Sequence, residues 1–97
     1  MSSPETKAYE EKINAQLHEA KAQLLDFESR AKAKAAQNDI DAVKRLKSKH
    51  DEIDQKRQGL KTVGEAKFGQ VKSEIDADVA KLRTSLSDLA SKLKKAG

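Results

Sequence analysis

The chain has 97 residues, 37% of them charged and 36% hydrophobic, and Tyr9, Phe27 and Phe68 are its only aromatic residues. So little large apolar surface excludes a thick globular core and leaves narrow seams between helices, while the absence of Cys excludes disulfides, thiol catalysis and cysteine-bound zinc. The 20 basic and 16 acidic residues give a mild +4 on a mixed surface, unlike the one-sided basic patch of nucleic-acid binders.

The start, Met1-Ser2-Ser3-Pro4-Glu5, reads as the entry to a helix. Ser3 suits the cap, Pro4 the first helical position and Glu5 the positive end of the helix dipole. It lacks the basic-then-apolar order of a signal peptide. No apolar run approaches the ~20 residues of a membrane span, so the expected location is the cytoplasm. Tyr9, Ile13, Leu17, Ala20, Leu24, Phe27 and Ala31 then recur three and four apart and fall on one narrow face of a helix. Leu25 lies off that face, where a third element could reach it.

Between Ala31 and Asp41 there is neither Gly nor Pro, and Ala33, Ala35 and Ala36 favour helix. Lys32 and Lys34 nevertheless precede Asn38, and Asp39 and Asp41 follow it, the charge order of one helix ending and another beginning. Asn38 can cap either end. The pattern predicts a tight turn at Gln37-Asn38. The rival is one long helix from Pro4 to about Gln58.

The second segment carries a thin seam of Ile40, Val43, Leu46, His50, Ile53 and Leu60, interrupted by Arg57. It needs neighbours to be stable. Its expected end is Gly59 in the left-handed conformation, with Leu60 as the following hydrophobic contact. Thr62-Val63-Gly64-Glu65 is the pattern of a capping box.

The third segment has the sharpest pattern. Phe68, Val71, Ile75, Val79, Leu82, Leu86, Leu89 and Leu93 lie within about 80° of arc at ~100° per residue. The spacing repeats every eleven residues, which keeps the stripe nearly straight along an ordinary helix. These eight residues are the candidate interaction stripe. Lys67, Lys81 and Lys92 flank it on one side, Lys72, Arg83 and Lys94 on the other, and Ser73, Thr84 and Ser91 take the far face. From Ala66 to Gly97 seven basic residues stand against Glu74, Asp76, Asp78 and Asp88, a net +3. Flanking lysines of this kind reach lipid headgroups while a stripe enters the membrane interface, and they equally border a bundle seam.

The usual constellations for chemistry do not form. His18 and His50 are the only histidines, and neither has the second His four residues away that a helical zinc site needs. His50 has only Asp54 one turn on. The carboxylates at Glu10-Glu11, Asp39-Asp41, Asp51-Glu52-Asp54 and Asp76-Asp78 match neither a ferritin-like metal motif nor a calcium loop. No Ser or Thr sits in a glycine elbow, and no Gly-rich phosphate loop is present. The reading is a non-enzyme with no metal, no cofactor and no small-molecule substrate.

Ala8-Tyr9-Glu10-Glu11-Lys12-Ile13-Asn14-Ala15-Gln16-Leu17, with the Lys/Glu/Ala-rich middle and the amphipathic helix after a Gly-containing break, resembles a group of short bacterial coiled-coil proteins of about one hundred residues. The resemblance spans most of the chain and implies a helical bundle, with no activity or site residues. The chain departs from that group in lacking tryptophan from its C-terminal helix.

The expected fold is therefore all-α: one domain over 1–97, an antiparallel three-helix bundle or coiled coil with helices at about 4–36, 39–58 and 63–95. If the first turn is absent, a long helical hairpin that oligomerises takes its place. The expected function is structural or protein-interacting, through self-association or another protein partner. The alternatives are an anionic membrane surface met by the helix at 66–96, and weak non-specific nucleic-acid binding.

Overall fold

A computed structural model describes residues 4–95 and folds them into three helices, α1 (Pro4–Ala33), α2 (Gln37–Gly59) and α3 (Glu65–Lys95). All three pack against one another as an all-α bundle. Its long axis is 48 Å and its cross-section 17 × 16 Å. A helix of 31 residues is ~46 Å long at ~1.5 Å per residue, so the helices run the full length of the bundle. Glu28 of α1 pairs with Lys47 of α2, and Asp78 of α3 with Lys56 of α2. Tyr9 meets Asp76, and Lys34 meets Leu93. The α1–α2 and α2–α3 neighbours are therefore antiparallel, and α1 and α3 run parallel.

The seams close on each other. From α1, all seven periodic residues from Tyr9 to Ala31 are buried. From α2 and the residue after it come Val43, Ile53 and Leu60, with Ile40 and Leu46 packed half-buried against them. Leu25, off the α1 seam, stays 52% exposed. A single exposed leucine of this kind is ordinary.

The first turn falls earlier than Gln37-Asn38. Ala35 takes φ 54°, the Ala36 N–H donates to the Ala31 carbonyl and the Ala35 N–H to the Lys32 carbonyl. That is a Schellman ending with alanine in the left-handed position where glycine is usual. Gln37 and Asn38 already belong to the first turn of α2, which Ala36 caps without a side-chain hydrogen bond. The local cues at Asn38 lose to packing: the turn sits where it lets Ile40 and Val43 reach the core.

The second turn also differs in detail. Gly59 does not adopt positive φ. The end of α2 tightens instead through Leu60, Lys61 and Thr62 N–H groups, each bonded to the carbonyl three residues back, and Leu60 is buried from a right-handed conformation. The capping box does not form. The Thr62 hydroxyl donates back to the Gly59 carbonyl at 3.0 Å, and Gly64 occupies the cap position, its carbonyl accepting from Lys67 and Phe68. Ser3, the expected cap of α1, lies outside the described residues.

A candidate interaction groove between α1 and α3

The eight residues of the α3 stripe all face into the bundle. Ile75, Val79, Leu82, Leu86, Leu89 and Leu93 are buried, and Phe68 and Val71 pack half-buried against them. The straight apolar edge is thus covered by α1 and α2 of the same chain. Its flanking Lys67, Lys81, Arg83, Lys92 and Lys94 stand exposed.

Among the helix pairs, α1 and α3 make the slightest contact. They are pinned near their two ends. At one end the Tyr9 hydroxyl donates to Asp76 Oδ1 at 2.5 Å and lies 3.2 Å from the Lys72 carbonyl. The Tyr9 ring meets Phe68 edge-on with centroids 6.0 Å apart, and Lys72 Nζ sits 5.1 Å from its centroid. At the other end Lys34 Nζ donates to the Leu93 carbonyl at 2.7 Å, satisfying one of the acceptors that a helix end leaves open.

Between the pins a groove of about 410 Å³ runs along the α1–α3 boundary. Leu17, Ala20 and Phe27 of α1 and Val79, Leu82 and Leu86 of α3 form its floor, and Gln16, Glu19, Gln23, Arg83 and Ser87 its rim. Ala20 and Ala90 supply little side chain at the α1–α3 boundary, which is why the groove stays open where bulkier residues would fill it. Its chemistry is an apolar floor between opposite charges, Glu19 on one rim and Arg83 on the other. Such a surface suits a helix face.

The charged side chains do structural work around this frame. The Tyr9 hydrogen bond, followed by Lys72, holds the Asp76 carboxyl below its ordinary range, while burial and then Asp76 push the Tyr9 phenol well above its own. Asp78, 13% exposed, accepts from Lys56 Nζ at 2.8 Å with Lys49 Nζ at 3.5 Å. The Lys56 hydrogen bond lowers its pKa, and Lys56 is raised in turn. His50 is not paired with Asp54: its Nε2 lies 3.0 Å from the Leu17 carbonyl and its Nδ1 3.1 Å from Asp51, while Asp54 binds Arg57 and Gln58. Among the described residues no three His, Asp or Glu gather as a metal ion would require, and no helix is long and apolar enough to cross a membrane.

The groove and the Tyr9–Asp76 pin were missed in the sequence. A seam tyrosine does announce that its hydroxyl needs a partner, and Asp78, one residue before Val79, borders the stripe closely enough to be drawn into an interface. Neither signal says which residue answers. No protein-family model matches the chain, and no curated protein or solved structure matches it.

Proposed function

We propose that this is a non-enzymatic, cytoplasmic structural or protein-interaction protein that receives an apolar helix face of a partner protein along the α1–α3 groove. The observation that carries this reading is the groove along the α1–α3 boundary between their two pins, with an apolar floor bordered by Glu19 and Arg83. Helix-in-groove recognition uses a floor of this kind for affinity and rim charges for orientation. The membrane reading draws less support, because the α3 stripe as a whole is turned into the bundle and only its edge at Val79, Leu82 and Leu86 borders the groove, too narrow a strip to lie along a lipid surface.

The test is site-specific photo-crosslinking in the cells that make the protein. A photoreactive side chain at Gln23 or Ser87, on the groove rim, is expected to give a discrete protein adduct that the same group at exposed Ser48 of α2 does not. Adducts equally strong from Ser48, or none from either rim position, would overturn the reading.

A further inference from the structure

The turn between α1 and α2 is built from residues that prefer not to turn. Ala33, Lys34, Ala35 and Ala36 are all good helix formers. Ala35 holds φ 54°, a conformation that a β-carbon disfavours. Ala36 caps α2 with no side-chain hydrogen bond. The bonds that stop α1 are backbone bonds alone, and a continuous helix replaces them with its own. Residues 33–37 themselves hold no glycine, no proline and no side-chain cap that would favour the turn over a straight helix. The turn persists because it lets α1 pack on α2 and α3 of its own chain.

A second copy offers the same packing without the turn. If residues 33–37 straighten, α1 and α2 become one helix from Pro4 to Gly59, and α1 reaches α2 and α3 of the other molecule. The contacts are those already present, now made between chains: Glu28 with Lys47, the Leu17 carbonyl with His50, Tyr9 with Asp76. Their register permits it. Glu28–Lys47 centres between residues 37 and 38 and Leu17–His50 between residues 33 and 34, so a two-fold axis midway, between residues 35 and 36, keeps each of these pairings within about one helical turn of its present register. The same axis sets Arg30 opposite Asp41 and Lys32 opposite Asp39 across the two chains. Nearest the crossing stand the small side chains of Ala35 and Ala36, with Lys34 and Gln37 opposite one another beside them.

We propose that this chain forms a two-fold dimer by exchanging α1, with the turn at Lys34–Ala36 opening into a continuous helix. The proposal is independent of the α1–α3 groove, which the exchange rebuilds from two chains. The dimer contains a helix of 56 residues, ~84 Å long at ~1.5 Å per residue, against 48 Å for the monomer. A side-by-side dimer through the groove would keep the shorter length, so length separates the two.

The experiment uses the full chain, unfolded in urea and refolded at micromolar and at millimolar concentration. The fractions are sized by light scattering and measured by small-angle X-ray scattering. The expected result is a doubled mass in the millimolar sample with a maximum dimension of ~84 Å or more. Gln37→Pro should abolish that dimer: proline is accepted at the first position of α2 but breaks a continuous helix. Ala35→Gly relieves the turn in both chains and should weaken dimerisation about thirtyfold, since the cost of a left-handed alanine is removed twice. If Gln37→Pro fails to fold, the Ala35→Gly comparison decides alone. A chain that stays monomeric at millimolar concentration, a dimer no longer than the monomer, or one that Ala35→Gly leaves unweakened would overturn the proposal.

Discussion

Replacing Tyr9 by Phe removes one oxygen and leaves the ring, its burial and its edge-on contact with Phe68 in place. The variant therefore isolates the hydrogen bond to Asp76. Hydrogen bonds to charged groups contribute about 1.5–3 kcal/mol when sheltered. The Asp76 side chain is 47% exposed and keeps Lys72 Nζ at 3.1 Å, so water and lysine recover part of the loss, and the expected cost is about 1 kcal/mol at pH 7. For a domain of this size that lowers Tm by about 4–8 °C. The pH dependence gives the sharper check. The carboxyl of Asp76 is depressed in the fold, by the Tyr9 hydrogen bond first. Its stabilisation is therefore complete above the unfolded value of about 3.9 and is lost as pH falls through the folded one. Urea titrations of both proteins should show the gap at pH 7 shrinking to half or less by about pH 2.5. The phenol gives the opposite limb. Because its pKa is raised in the fold, wild-type stability should drop as pH climbs past about 10, where the unfolded tyrosine ionises. Equal stability of the two proteins at pH 7, or a gap unchanged in acid, would refute the assignment of Tyr9 and Asp76 as a stabilising pair.

Three further substitutions probe other parts of the frame. Asp78→Ala should cost about 1–2 kcal/mol at pH 7 by urea denaturation, short of a fully buried pair because Lys49 and Lys56 can turn to solvent; since Asp78 is also depressed in the fold, the cost should fade in acid. Ala36→Ser supplies the missing side-chain cap of α2 and should add about 0.5–1 kcal/mol, visible as a higher melting temperature. Glu10 is 8% exposed with Oε1 accepting no hydrogen bond, so Glu10→Met should raise stability by about 1 kcal/mol; a loss of similar size would show that the carboxylate is needed where it lies.

The α1 and α3 seams could be read from the chain because each is a periodic statement repeated over many residues. Leu17, Leu24, Leu82 and Leu86 sit on the inner faces that their spacing prescribes. The turns were legible only as to neighbourhood. Asn38 has the chemistry of a cap, and Gly59 that of a helix stop, yet the chain turns at Ala35 and passes Gly59 in a right-handed conformation. Where a helix ends in a bundle is set by which residues must reach the core, and Ile40 and Val43 outweigh the local signals. The pins and the groove lay further out of reach. Tyr9 and Asp76 are 67 positions apart, and nothing near either residue names the other. The groove depends on how far α1 stands from α3, a distance fixed by the α2 that both helices contact.

An odd number of helices sends the two ends of the described chain out at opposite poles. Pro4 lies at the pole of the α2–α3 turn, and Lys95 at the pole of the α1–α2 turn. A pull on those ends is carried along the 48 Å axis and slides α1 against its parallel neighbour α3, resisted by the Tyr9–Asp76 and Lys34–Leu93 contacts together with the apolar core that all three helices share. Once they yield, the 92 described residues can extend to roughly 300 Å at ~3.3 Å each. Mechanically the bundle is a short rigid strut that becomes a long tether under load.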